Sequence, residues 1–295
     1  MSLVNKLSGT GVALITPFKK NKSVDYDALA SVINYIIDNG IEYIVTLGTT
    51  GETPTLSKKE QAEIVKFTIE KINNRVPLVL GIGGNNTQGV VDQFSNFALE
   101  NITAILSSSP NYNKPSQEGI FQHYKTIASA SPLPVILYNV PGRTGSNVSA
   151  ETTLRLAHEC ENIVGIKEAS GNIIQCMHIL KNMPDGFLMV SGDDHISFPL
   201  IACGSHGVIS VAANCFPKDF SDMIRLALGN NFAAASKLHY KLLEAYDLLF
   251  AENNPAGAKA FMYELKLIEN ELRLPLVSLS EPIHKKVKDF LAKIV

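Results

Sequence analysis

One pattern repeats eight times along most of this chain: a short apolar, β-rich run followed by a longer stretch of helical period. The runs fall at 11–16, 43–47, 76–82, 103–107, 134–139, 163–167, 187–191 and 207–211. The helical stretches cover 25–38, 57–73, 87–100, 116–130, 150–158, 172–181, 195–203 and 218–228. In the first, Leu29, Val32, Ile33, Ile36 and Ile37 mark one helix face, and Gly40 lies just beyond its end. Ser57-Lys-Lys-Glu60 opens the second with a capping box. Strands that are apolar throughout and alternate with helices belong to a parallel sheet covered on both faces. Their crossovers are right-handed, and eight such units predict a closed (β/α)8 TIM barrel. The alternative is a doubly wound open sheet, but no GxGxxG follows the first run.

Beyond Gly229 the pattern becomes purely helical, over 232–250, 255–270 and 281–294. The expected division is therefore a barrel catalytic domain over 1–229 and a small C-terminal helical domain over 230–295. The second is expected to pack on the barrel or on a neighbour.

Composition excludes several classes of partner. The chain is 45% hydrophobic and 18% charged, which is globular rather than disordered. A net charge of −2 without a long basic run argues against nucleic acid and against an anionic membrane. No window approaches the apolar length of a membrane span, and the Met-Ser-Leu-Val-Asn-Lys start lacks a signal-peptide core. Cys160, Cys176, Cys203 and Cys215 show neither CxxC nor metal-ligand spacing. They are expected to be reduced, mostly buried thiols of a cytoplasmic protein.

Barrel active sites lie at the C-terminal ends of the strands. Read in order, those ends carry Thr16, Gly48-Thr49-Thr50-Gly51-Glu52, Gly83-Gly84-Asn85, Tyr112-Asn113, Tyr138-Asn139, Lys167-Glu168, Ser191-Gly192-Asp193 and Ser210. The set has no His cluster, no DxD or HxxxH spacing and no Ser/His/Asp arrangement, so neither a metal nor a hydroxyl nucleophile is expected. Lys167 is the obvious nucleophile. A lysine closing an apolar strand either snorkels into solvent or is held dry. Desolvation favours the neutral amine, the form that attacks a carbonyl. The Gly48–Glu52 loop is either a tight turn or a carboxylate-binding nest of N–H groups and hydroxyls. Tyr138 either fills the barrel mouth or transfers protons. Arg143 is either solvated or grips a carboxylate through both guanidinium nitrogens.

Six blocks in register resemble the dihydrodipicolinate synthase (4-hydroxy-tetrahydrodipicolinate synthase) family of pyruvate-dependent class I aldolases. They are Gly48-Thr-Thr-Gly-Glu52, Tyr112-Asn-Lys-Pro-Ser-Gln-Glu-Gly119, Tyr138-Asn-Val-Pro-Gly-Arg-Thr-Gly145, Gly165-Ile-Lys-Glu168, Ser191-Gly-Asp-Asp194 and Gly207-Val-Ile-Ser210. The resemblance implies that Lys167 forms an imine with pyruvate, whose enamine then attacks aspartate semialdehyde. No cofactor is implied. Tyr138, Thr49 and Tyr112 are implied as a proton relay, with Tyr112 reaching in from a neighbouring subunit of a tetramer built from two dimers. Thr50 is implied to hold the pyruvate carboxylate and Arg143 that of the semialdehyde. Gly192 and Ile209 are implied to supply backbone groups near the imine.

The family's lysine-inhibition site is matched by Asn85. Asn111 stands there in place of an aromatic residue, Lys58 and Gln61 in place of histidines, and Gly89 in place of an acidic residue. Weak or absent inhibition by lysine is therefore expected. The rival functions are N-acetylneuraminate lyase, a 2-keto-3-deoxy-sugar-acid aldolase, and a pyruvate-binding regulator without catalysis.

Overall fold

The computed structural model describes residues 2–294. Met1 and Val295, the outermost residues of the two expected domains, lie outside the described residues. The chain runs α1 (Leu3–Leu7), β1 (Gly9–Ala13), α2 (Tyr26–Asp38), β2 (Tyr43–Thr46), α3 (Lys58–Ile72), β3 (Leu78–Gly81), α4 (Thr87–Gln93) and β4 (Ala104–Ser108). It continues with α5 (Gln117–Ala130), β5 (Val135–Asn139), α6 (Pro141–Thr144), α7 (Ala150–Glu159), β6 (Ile163–Glu168), α8 (Ile173–Asn182) and β7 (Leu188–Ser191). Then come α9 (Asp194–Ala202), β8 (Gly207–Ser210), α10 (Pro217–Leu228), α11 (Phe232–Phe250), α12 (Ala256–Glu264) and α13 (Glu281–Ile294). The strands pair in parallel from β1 to β8, and β8 closes back onto β1 through Gly9↔Gly207 and Gly11↔Ile209. This is the (β/α)8 barrel expected from the repeat.

Alternation along each strand separates two apolar layers. Inside the barrel pack Ala13, Tyr43, Val45, Val79, Ala104, Leu106, Ile136, Tyr138, Leu188, Val190 and Ile209. Their outward neighbours, among them Val12, Ile44, Leu80, Ile105, Leu137, Ile166 and Met189, pack under the helices. Leu7 of α1 joins the inner set. The Tyr43 ring lies where a β-carbon on Gly11 would come within 2.2 Å, so only glycine fits there. Among the described residues, no helix is long and apolar enough to cross a membrane.

Three expected elements differ. The helix over 87–100 stops at Gln93, passes through a short 3-10 turn at Phe94–Asn96 and is extended at Phe97. The helix over 255–270 stops at Glu264, because Lys266 takes the left-handed conformation (φ 63°) that ends a helix. The stretch from Pro141, outside the helical stretches expected from the sequence, is one helical turn with proline at its start. Strand bounds shift as well: β1 begins at Gly9, two residues earlier than expected, and β6 runs one residue past Lys167.

Candidate active site

At the C-terminal end of the barrel opens a cavity of about 1030 Å³. Lys167 lies in it, 5% exposed. Its place follows from register: Tyr138 of β5 pairs with Lys167 of β6, and both point inward. The amine sits 4.4 Å from the centroid of the Tyr138 ring. A β-carbon on Gly192 would fall 2.9 Å from Lys167 Cε, so the bare backbone after β7 is what leaves the lysine room. The neighbouring carboxylate, Glu168, faces the other way. It accepts from Asn139 Nδ2 at 2.9 Å, from Gln175 Nε2 at 2.9 Å and from the Ser170 N–H at 2.7 Å. Asn139 and Glu168 thereby lock β5 to β6 behind the site. No salt bridge partners Lys167 among the described residues.

Opposite the lysine, β2 ends in a turn of 3-10 helix, Thr49–Gly51. The first residues of such a turn have N–H groups without an acceptor inside it. Thr49 and Thr50, which line the cavity, are the first residues of this turn. Left-handed residues fix the turn at both ends, Leu47 (φ 52°) and Glu52 (φ 53°), and such conformations survive only where surrounding structure holds them. Thr16 Oγ1 donates to Gly51 O at 2.8 Å, and Thr53 Oγ1 to Gly48 O at 3.0 Å. The Leu47 carbonyl lies 2.4 Å from where a β-carbon on Gly81 would stand. Arg143 reaches the same cavity from α6. A buried amine, a turn carrying two threonines, a tyrosine and an arginine thus surround one space, a set with the groups to hold and activate a small anionic carbonyl compound.

The sequence profile described as the Dihydrodipicolinate synthetase family matches residues 6–294. The chain belongs to this family. It is 53% identical over 289 residues to a 4-hydroxy-tetrahydrodipicolinate synthase of Phocaeicola vulgatus, covering 98% of this chain and 97% of that one. Its fold matches the crystal structure of a dihydrodipicolinate synthase from Aquifex aeolicus with a TM-score of 0.94, at 39% identity and 98% coverage of both chains. A dihydrodipicolinate synthase from Acinetobacter baumannii, solved in complex with pyruvate, matches with a TM-score of 0.94 at 38% identity, over 97% of this chain and 98% of that one.

Of the residues singled out from sequence, Lys167, Tyr138, Thr49, Thr50, Arg143 and Gly192 line this one cavity. Ile209 is buried inside the barrel on β8, beside Gly11. Tyr112 does not line its own chain's cavity. It is 89% exposed, in a left-handed conformation (φ 67°), with its N–H bound to Thr144 O at 3.1 Å. Asn85 and Asn111 meet each other, the Asn111 N–H donating to Asn85 Oδ1 at 2.8 Å.

The structure adds residues that a reading of strand ends misses. His195, at the cavity rim, stands between Asp193 (3.4 Å) and Asp247 (3.0 Å). The Asp193 carboxylate, with Asp247 adding to it, pushes its pKa up to about 9. Asp194 accepts from the N–H groups of Val211 and Ala212 at 3.2 and 2.8 Å and so ties β7 to the end of β8. Burial pushes its carboxyl up to about 6. Asn254 and Lys259 come from the helical tail and reach the turn at residues 48–52. No local pattern marks either of them, because both act on residues some 200 positions earlier in the chain.

Proposed function

We propose that this chain condenses pyruvate with L-aspartate 4-semialdehyde through an imine on Lys167, giving 4-hydroxy-tetrahydrodipicolinate for diaminopimelate and lysine biosynthesis. The observation that carries this reading is the buried Lys167 amine on the cavity wall, without a salt-bridge partner among the described residues, in a chain of this family. The amine adds to the 2-oxo carbon of pyruvate and water departs, leaving an iminium. Loss of a methyl proton gives an enamine, which attacks the aldehyde carbon. Ring closure by the semialdehyde's own amino group then releases the lysine. Thr50 holds the pyruvate carboxylate and Arg143 that of the semialdehyde. The carbonyl oxygen leaves as water only if protons are delivered to it, the task assigned to Tyr138, Thr49 and Tyr112. Gly192 and Ile209 offer backbone groups beside the imine. None of these steps calls for a metal or a cofactor.

Borohydride reduction in the presence of pyruvate tests the reading: the expected result is a single adduct of reduced pyruvate on Lys167. Label on another residue, or none, overturns it. Turnover of aspartate semialdehyde well above that of sialic acid or a 2-keto-3-deoxy sugar acid separates the reading from its aldolase rivals.

The exposed Tyr112 supports an oligomer in which each subunit completes its neighbour's relay, which we read as a tetramer of two dimers. Tyr112→Phe is expected to lower kcat about 10²-fold, the scale of a lost proton-transfer group. An unchanged kcat removes Tyr112 from the relay. We place the enzyme in the cytoplasm, where its four free thiols are at home.

Inhibition by lysine is expected to be weak or absent. Gly89 offers no carboxylate to an ammonium group, and one of the two lone pairs of Asn85 Oδ1 is used by the Asn111 N–H. Titrating lysine into the assay checks this, and a sub-millimolar inhibition constant contradicts it.

A further inference from the structure

The direction in which the Thr50 hydroxyl points is set from the tail. Asn254 lies between α11 and α12, 4% exposed and lining the cavity. Its Nδ2 donates to Thr50 Oγ1 at 2.8 Å. Its Oδ1 is buried and has no hydrogen-bond partner among the described residues. A threonine hydroxyl has one proton to give and two lone pairs. With a lone pair engaged by Asn254, the proton is left for an acceptor in the cavity. The opposite arrangement, an acceptor at this point of residue 254, would draw that proton away.

The distance between the two segments is held by a second contact. The Lys259 ammonium and Glu52 Oε1 are 2.5 Å apart, both side chains fully buried. Lys259 also donates to Glu271 O at 2.8 Å, and the Arg273 N–H donates to Glu52 Oε2 at 3.0 Å. A buried ion pair is a poor source of net stability, and fixing register is its best-attested use. Here it joins the end of the Thr49–Gly51 turn to the helix that follows Asn254.

We propose that Asn254 is a positioning residue for the carboxylate of the 2-oxo acid: it fixes the Thr50 hydroxyl as a donor, and the Lys259–Glu52 pair holds it at bonding distance. The proposal rests on Thr50 as the carboxylate's partner.

Steady-state kinetics with both substrates test it. Asn254→Ala raises the KM for pyruvate about 10-fold, the scale of one hydrogen bond to a charged group. The KM for the semialdehyde and kcat change less than about 3-fold. Asn254→Asp keeps the size of the side chain, so it reports even where the alanine variant folds poorly. It raises the pyruvate KM further, because its carboxylate takes the Thr50 proton and repels the substrate's charge. In a Thr50→Val background Asn254→Ala adds less than about 2-fold, since the two residues act on one interaction. An unchanged pyruvate KM in both Asn254 variants overturns the proposal, and so does a full 10-fold effect without the Thr50 hydroxyl. Borohydride trapping on the wild type keeps the two readings apart. If pyruvate does not label Lys167, the catalytic reading falls. If it labels Lys167 and the pyruvate concentration for half-labelling is the same in the Asn254 variants, only the present proposal falls.

Discussion

Lys167→Ala is expected to lose turnover by on the order of 10³-fold or more, the scale seen when a covalent nucleophile is removed, and to keep a thermal midpoint equal to the wild type's or above it. The two halves of the result have one cause. The amine is buried over the Tyr138 ring, with no salt-bridge partner among the described residues. Removing it strands no opposite charge. Residues kept for chemistry rather than for packing are where stability is gained by mutation and activity is lost. Lys167→Arg is expected to be equally inactive, because a guanidinium stays protonated and does not add to a carbonyl. Assays paired with differential scanning calorimetry check both halves. A variant that retains turnover, or one that is inactive only because it is unfolded, contradicts the assignment.

Glu52→Gln is expected to have the opposite profile, with a large loss of stability. The substitution keeps the shape and an acceptor for the Arg273 N–H, but leaves the Lys259 ammonium buried without its counter-charge. Breaking a buried pair in this way costs about 3–5 kcal/mol, roughly a 10 °C fall in Tm for a chain of this size. Burial already pulls the Lys259 ammonium down to about 8, against the pull of Glu52. Glu52→Gln combined with Lys259→Met is expected to recover most of the loss, since no lone charge remains. The half-exposed Lys22–Glu271 pair is the control: solvent screens it, and Lys22→Met is expected to cost less than about 1 kcal/mol. Chemical denaturation of the three variants checks the series. A loss below about 1 kcal/mol for Glu52→Gln contradicts it.

The barrel was legible in the sequence because parallel strands packed on both faces must be apolar along their whole length, and helices must separate them. Lys167 and Tyr138 were legible for the same reason: each is a polar side chain at the end of such a run, where the fold places its mouth. Helix ends were less so. Nothing in the composition near Glu264 announces that Lys266 turns left-handed, and the turn at Phe94–Asn96 keeps an apolar pattern that a helix shares. Asn254 and Lys259 were invisible for a different reason. Each looks like an ordinary residue of a polar loop or a helix face, and only closure of the tail onto the second strand's loop gives it a partner.

The packing of the Leu47 carbonyl against Gly81 bears on redesign of substrate scope. At that point main chain meets main chain, so any substituent at residue 81 intrudes on the Leu47 oxygen. An engineer seeking to admit larger acceptors must carve elsewhere, at Val140, Phe250 or Leu276, which border the same space with atoms that mutagenesis can remove.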